Sequence, residues 1–485
     1  MTYLPHTDAD RRTMFAIVGV DSIDDLFSPI PAELRSCTLD LPPGLSEPEV
    51  AARMQDFAAH NQVCRSATFL GAGCYHHYVP AAVRALVGRS EFATAYTPYQ
   101  AEVSQGTLQH IFEFQTIICE LTGLDVANAG MYDGPSALAE AAFLALRHTR
   151  RERVLCSAGV HPEAQQVLAT YAAGPGFPLD SLPLDPDTGR TRVPLPAELD
   201  GVGAVLVQQP NFFGVVEDIA PLAEAAHAAG ALLVVSQNPM TLGVLESPGA
   251  LGADVAVGDV QVFGGDMNFG GPSAGYMACR AEHLRQLPGR LVGQTTDADG
   301  RVCYVLTLQA REQHIRRAKA MSNICSNQAL CALAATIHLA LLGPDGLRAL
   351  GDVCLRRAHY LARGLIAPAA GAGPVQGGSA GATLPGVVPT HGGAPTDGGA
   401  GTTDGSLAQM YGGPFFHEFA LRLPMPATDF RAAMRARGVD PGVDLGRFDP
   451  ALDDCLLVAV TEMNAPADLD RYLAAARDVL GEVAA

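Results

Sequence analysis

The densest set of chemically capable side chains is Tyr96-Thr97-Pro98-Tyr99-Gln100-Ala101-Glu102-Val103-Ser104-Gln105-Gly106. Two phenols, a carboxylate and two amides share one Pro/Gly-framed segment with little apolar content. Core packing does not call for that density of polar groups, which favours a site over a solvated loop. Tyr96, Tyr99, Glu102 and Gln105 are its candidate residues. The second chemical feature is a scarcity: Lys319 is the only lysine, within a Lys+Arg total of 32. A composition rich in Ala, Gly, Pro and Arg accounts for most of that scarcity. Its use is positional, because an enzyme that forms a Schiff base needs a lysine amine at one defined place.

Three further motifs carry alternatives. Gly264-Gly265-Asp266-Met267-Asn268-Phe269-Gly270-Gly271-Pro272 is a glycine-rich loop between two apolar runs. It lacks the Gly-Lys-Ser/Thr of a phosphate loop and does not sit at the strand-to-helix junction of a dinucleotide fold. In a pyridoxal enzyme of the aminotransferase type the Schiff-base lysine falls after the strand that follows Ser236-Gln237-Asn238, and Gly264/Gly265 offer none. Lys319 lies in a polar stretch, Arg311 to Lys319, read as a helix with Glu312 placed to pair with Arg316. It reads as an ion-pairing or interface residue rather than a cofactor anchor. Cys74-Tyr75-His76-His77 lacks a partner pair at zinc spacing, so no metal is assigned. Met131 to Ala137 precedes a helix and suits either an anion at the N-terminus or a plain cap by Ser136.

The elements that must position these groups alternate between strand and helix. Ala204–Gln208, Ala231–Val235, Ala253–Val257 and Ala274–Ala278 are short apolar runs of buried-strand type. Between the first two, Asp218 and Pro221 open a helix that Gly230 stops. Strand–helix–strand units of this kind build a parallel sheet by right-handed crossovers. Ser46-Glu47-Pro48-Glu49 caps a helix through Met54 and Phe57, and a further helix carries Leu108, Ile111, Phe112, Ile117 and Leu121. Apolar helices follow from Leu330 to Leu342 and Leu347 to Leu365. The stretch from 368 to 413 is Gly/Ala/Pro/Thr/Ser-rich and reads as a flexible insertion. After it, an alternating strand (Phe415–Leu423), a strand at Leu456–Val460 and a helix at Pro466–Leu480 complete a small α/β domain. The reading therefore divides the chain into a helical N-terminal extension (1–90), a large domain (91–330) and a small C-terminal domain (331–485).

A net charge of −19 without a basic run argues against nucleic-acid binding. The N-terminus does not read as a signal peptide, and no uninterrupted apolar span of about 18 residues suggests a membrane helix. Eleven scattered cysteines without a C-x-x-C pair suit reduced thiols and a cytoplasmic protein.

Several segments together resemble subunit 1, the α chain, of decarboxylating glycine dehydrogenase, the split P-protein of the glycine cleavage system. They are Tyr3 to Arg11, Phe69-Leu70-Gly71-Ala72-Gly73, Tyr96 to Gly106, Leu121-Thr122-Gly123-Leu124-Asp125, Pro210-Asn211-Phe212-Phe213-Gly214 and Arg311 to Ile324. The resemblance implies an aminotransferase-like α/β fold, fold type I of the pyridoxal-phosphate transferases, that has lost its Schiff-base lysine. It implies that pyridoxal phosphate is held by a partner β subunit, in an α₂β₂ assembly. Glycine is decarboxylated there and its aminomethyl group passes to the lipoyl arm of the H-protein. Tyr96, Tyr99, Glu102 and Gln105 would face the shared active site across the interface. Three positions depart from the family pattern: His76 replaces an acidic residue, Pro135 a small one and Ala101 a proline. Two other readings stand beside this one: a non-catalytic scaffold for the β subunit, and a self-sufficient pyridoxal enzyme using Lys319.

Overall fold

The computed structural model describes residues 5–35, 40–61, 67–92, 96–268, 270–324, 327–366 and 407–484. The chain forms two compact units, Met1–Val63 and Cys64–Ala485. In the first, helices Asp8–Val18 and Glu47–Ala59 are joined by shorter turns at Ile23–Leu26 and Ala32–Arg35. Thr7, Ser22 and Ser46 each start a helix with a capping box, their third residues Asp10, Asp25 and Glu49 reaching back to the cap. None of the described residues of these four helices is buried.

The second unit is built on a seven-stranded sheet: β1 (Val126–Ala127), β2 (Arg153–Ser157), β3 (Leu179–Leu182), β4 (Val202–Gln209), β5 (Leu232–Gln237), β6 (Val255–Asp259) and β7 (Gly275–Cys279). Its spatial order is β3-β2-β4-β5-β6-β7-β1. β3, β2, β4, β5 and β6 run parallel, while β7 is antiparallel to β6 and β1 to β7. Buried parallel strands read as continuous apolar runs because both faces are covered, and the side chains sort accordingly. Leu206, Val234 and Val257 join one core with helix Gly134–Thr149. Val205, Val207, Leu233 and Val235 join another with helix Ile219–Ala228. Asp218 is the N-cap of the latter helix, as its sequence suggests.

A smaller antiparallel sheet orders Ala408–Gln409, Glu418–Arg422, Cys455–Ala459 and Val443–Asp444. Helices Ala427–Ala436 and Pro466–Ala484 pack on it through Phe430, Met434, Leu469 and Tyr472. Ala67–Thr68 adds a parallel pairing to Val439–Asp440, so the chain passes the small sheet before it builds the large one.

Two local expectations are corrected. Arg311 to Lys319 is not one helix: it breaks into Gln309–Arg311, Gln313–Arg316 and Arg317–Lys319, because Leu308 (φ 50°) and Arg317 (φ 53°) take left-handed backbone and Glu312 is extended. Glu312 is buried, its ion-pair neighbour is His314 at 3.8 Å, and Arg316 instead donates to the Ala310 carbonyl at 3.0 Å. The end of the stretch read as a flexible insertion is instead built into the fold, with Ala408–Gln409 paired to the small sheet and the Gly413 amide donating to the Thr188 carbonyl. Most of that insertion, 367–406, lies outside the described residues.

The helical stretch Ala329–Ile366 has a mean hydropathy of 1.5 over 18 residues, enough by length and composition to cross a membrane. Gly343 (φ 60°, ψ −179°) and Pro344 divide it. The part before the break is about 21 Å long at 1.5 Å per residue, short of the roughly 30 Å of a bilayer core. Ala332, Ala335 and Leu339 pack on Tyr276 and Phe263 in a protein core.

Candidate active site

A cavity of about 460 Å³ opens at the carboxyl ends of the parallel strands, where open α/β sheets bind ligands. Its walls take Gln208 and Pro210 at the end of β4, Ser236 to Pro239 at the end of β5, Gly258, Asp259 and Gln261 at the end of β6, and Asp133 to Ser136 at the start of a helix. Ala72 to Tyr75 and the small-domain residues His417 and Glu418 close it.

Asp133 settles the alternatives left open at Met131–Ala137. It, not Ser136, is the N-cap, and its carboxylate accepts from the Ser136 amide at 2.8 Å. A negative charge of the chain itself occupies the place where the helix dipole favours an anion. Asp259 accepts from the amides of Gln261 (2.8 Å) and Gly134 (3.3 Å) and from the Ser273 hydroxyl. Burial pushes its carboxyl upward against those hydrogen bonds, and Asp133 nearby adds to the rise.

The loop after β6 carries no amine. Gln261 turns into the cavity, where its Oε1 accepts from the Tyr75 amide at 3.0 Å and its Nε2 donates to the Tyr75 carbonyl at 2.9 Å. Gly264 and Gly265 do not line the cavity; a Cβ at Gly264 would meet the Ala334 carbonyl at 2.9 Å. Lys319 is exposed and lines no cavity described here. Among the described residues no lysine or arginine lines the main cavity, while Asp133, Glu163, Asp259, Asp266 and Glu418 do.

His161 is held in one tautomer: its Nδ1 accepts from the Glu163 amide (3.1 Å), so Nε2 carries the proton toward the Ala72 carbonyl (3.1 Å). Burial lowers its pKa and favours the neutral ring. Glu418 accepts from the Ala72 amide (2.7 Å) and the Tyr75 hydroxyl (2.8 Å). Burial pushes its carboxyl up to about 7 against both hydrogen bonds. Close approach is possible because two neighbours lack a Cβ. At Gly71 one would lie 2.2 Å from Glu418 Oε1, and at Gly214 (φ +85°) one would lie 2.0 Å from the Glu418 carbonyl. Asn211 builds the turn that brings Gly214 there. Its amide donates to the Gly189 carbonyl and Glu217, and its oxygen accepts from the amides of Phe213 and Val215.

The histidines of the Cys74–His77 run separate. His76 is exposed, and His77 is buried with Nδ1 2.7 Å from Glu462. His77, Cys354 and Glu462 bring ligand atoms within 4.8 Å of one another, a donor set that could hold a metal ion. Burial opposes the charge of Glu462, yet the His77 hydrogen bond and charge, with the Tyr78 amide, hold its carboxyl down at about 2. Glu462 Oε2 is 2.7 Å from His77 Nδ1 and 3.5 Å from Cys354 Sγ, while His77 Nε2 is buried without a hydrogen-bond partner.

The tyrosine-rich segment lies outside the cavity. Tyr96, Tyr99 and Glu102 are exposed, and the Tyr99 hydroxyl is 3.5 Å from buried Arg290. Gln105 is a clamp: it exchanges 2.9 Å hydrogen bonds with both backbone groups of Tyr304, in the hairpin Leu291–Thr296/Val302–Thr307. Of the departures, Pro135 lines the cavity, Ala101 partly packs beside the hairpin core, and His76 does neither.

The glycine cleavage system P-protein family model matches residues 1–371. The chain belongs to that family. It is 46% identical over 99% of its length to the whole of "Probable glycine dehydrogenase (decarboxylating) subunit 1" of Moorella thermoacetica. The protein of the same name from Geobacillus kaustophilus is 46% identical, with 97% of each chain covered. A solved structure, "Crystal structure of glycine decarboxylase (P-protein) of the glycine cleavage system, in inhibitor-bound form", superposes with a TM-score of 0.84 at 44% identity. It covers 99% of this chain and 100% of its own. A glutamate decarboxylase from Lactobacillus brevis shares the fold at 12% identity and a TM-score of 0.62 over 93% of this chain and 97% of its own. The P-protein chain thus has the fold type I architecture of pyridoxal-phosphate enzymes.

Proposed function

We propose that this P-protein chain is the α subunit of a two-chain glycine decarboxylase, working only with a β subunit that carries the pyridoxal phosphate. The observation that carries the reading is the cavity at the strand ends, which has the position of a cofactor site but no amine to anchor one. The residues there do not fit a covalently held phosphate ester: Gln261 is tied to Tyr75, and the Asp133 carboxylate already takes the helix amides. A phosphate dianion would face that carboxylate with no lysine or arginine among the described wall residues. No step is therefore assigned to this cavity.

In this reading the cofactor on the β subunit supplies the electron sink for decarboxylation, and the aminomethyl group passes to the lipoyl arm of the H-protein. The contribution of this chain is positional. Tyr96, Tyr99 and Glu102 stand exposed on a segment that Gln105 fixes to the hairpin, so they reach a second chain with their geometry set in advance. An α₂β₂ assembly in the cytoplasm is the arrangement we propose. The division at 1–90, 91–330 and 331–485 is kept as a proposal for its functional regions. The relatives named "subunit 1" support the existence of a second subunit.

The test is spectroscopic. Excess pyridoxal phosphate added to the pure chain should give no internal-aldimine absorbance and, after borohydride, no label at Lys319. A reducible adduct at Lys319 that also turns over glycine would overturn the reading in favour of a self-sufficient enzyme.

A further inference from the structure

We propose that His77, Cys354 and Glu462 bind a divalent, thiolate-binding metal ion such as zinc, which staples the small sheet to helical stretch Ala329–Ile366 and to the segment that closes the cavity. This site does not rest on the α-subunit reading. Its three side chains come from separate parts of the chain. His77 lies on the segment that follows Ala67–Thr68, Cys354 on Ala329–Ile366 beyond its break at Gly343, and Glu462 after strand Cys455–Ala459. They bring a sulfur, a nitrogen and an oxygen within 4.8 Å of one another, the three ligand types that zinc takes. The Cys354 side chain is fully buried and that of His77 is 1% exposed.

The distances suit coordination. Zinc bonds of about 2.0–2.3 Å at tetrahedral angles set neighbouring ligand atoms roughly 3.3–3.6 Å apart. Glu462 Oε2 is already 3.5 Å from Cys354 Sγ. From His77 Nδ1 it is 2.7 Å, a hydrogen-bond distance, which opens by about 0.6 Å when an ion replaces the proton. Outer contacts hold the carboxylate and its loop in place. The Tyr78 amide donates to Glu462 Oε1 at 2.7 Å. Arg357, one turn beyond Cys354, donates to the carbonyls of Glu462 (2.5 Å) and Asn464 (2.8 Å).

A second observation points the same way. Buried polar atoms of a native fold ordinarily have partners, yet Nε2 of His77, Nδ1 of His338 and both ring nitrogens of His417 are buried without one. His338 is 2% and His417 1% exposed, and the charges of His77 and Glu462 act on both rings. As a plain ion pair, a protonated His77 would bury a charged Nε2–H with no acceptor. Coordination removes that charge. Cys354 releases its thiol proton to solvent, the His77 proton moves from Nδ1 to Nε2, and thiolate and carboxylate together balance the divalent ion. A water in the fourth coordination place can donate to the unpartnered nitrogens of His338 and of His417, whose ring centroid is 6.3 Å from that of His77. None of the three ligands lines the main cavity, so the ion holds structure and meets no substrate.

The experiment takes the full chain, purified without a histidine tag and stripped by chelation, and loads it with zinc or cobalt(II). Three results are expected of the wild type: one ion per chain by elemental analysis, a thiolate-to-cobalt charge-transfer absorption, and a higher unfolding midpoint with zinc. The rise should be roughly 2–3 °C at zinc a hundredfold above its dissociation constant. Cys354→Ser is expected to lose the charge-transfer band, and Cys354→Ser and Glu462→Gln each to bind zinc at least a hundredfold more weakly. A wild-type chain that takes up neither ion overturns the site and leaves His77 and Glu462 as a hydrogen-bonded pair. An ion bound without the charge-transfer band excludes Cys354 and overturns it as well. So does a band retained in Cys354→Ser, which assigns the ion to other cysteines. Should Cys354→Ser fail to fold, Glu462→Gln decides by the same measurement, and undiminished zinc affinity there overturns the site.

Discussion

Glu418 makes the site pH-sensitive in a way that can be worked out in advance. Its carboxyl is wholly enclosed and titrates near 7, against about 4.5 in an exposed chain. At about 1.4 kcal/mol per pH unit of difference, the folded state prefers the protonated carboxyl by about 3 kcal/mol. Because the folded value is raised, this stability is fully present below about pH 4.5 and is lost as pH rises through about 7. Glu418→Gln keeps the shape and stays neutral, so it removes the dependence. Other buried groups titrate in the opposite sense: burial holds His417 down at about 3 and His338 at about 4. Their stability is present above about 6.5 and lost as pH falls. The informative quantity is therefore the difference between the two proteins. Urea unfolding at several values from pH 4.5 to 8 should show the wild type losing about 3 kcal/mol relative to Glu418→Gln across that range. Parallel curves for the two proteins would refute the enclosed, protonated Glu418 and with it the described closure of the cavity.

Gln261→Ala strips two hydrogen bonds from the Tyr75 backbone, leaving a buried amide and carbonyl without partners. At about 1–3 kcal/mol for each of the two groups, unfolding free energy should fall by roughly 2–6 kcal/mol, and a change below about 0.5 kcal/mol would contradict the clamp. Gly214→Ala places a Cβ 2.0 Å from the Glu418 carbonyl at a φ of +85°, so the variant should lose at least about 3 kcal/mol or express insoluble; wild-type stability would sink the close approach. Glu102→Gln and Tyr99→Phe should lower turnover of the reconstituted enzyme about tenfold or more without changing its assembly, whereas full turnover would favour a scaffold.

Much of the large sheet was legible because its strands are buried on both faces and so read as apolar runs broken by Gly, Pro and Asp. Ala204–Gln208 and Ala231–Val235 fall within a residue or two of β4 and β5. The antiparallel direction of β7 was not legible, since a buried strand looks alike in either direction. The Arg311–Lys319 helix failed for a definable reason: charge spacing favours a helix there, but Leu308 and Arg317 adopt backbone that glycine would ordinarily supply. The tyrosine-rich segment was found by its polarity, and its four residues do not line the cavity. The cavity walls were missed because Asp133, His161, Asp259, Gln261 and Glu418 are single polar residues scattered over nearly 300 positions. The available signal was weak: Asp259 and Gln261 closely follow the apolar run Val255–Val257, and His161 closely follows β2. In the turn after β6 it is Gln261, not Gly264 or Gly265, that lines the cavity, a placement only the folded turn reveals.

The most direct test of the α-subunit account is glycine-dependent exchange of labelled bicarbonate with lipoylated H-protein present. The assay compares this chain alone, the second subunit alone, and the two mixed. The account predicts exchange only in the mixture. Exchange by this chain alone would contradict it, because no lysine is among the described residues that line the cavity.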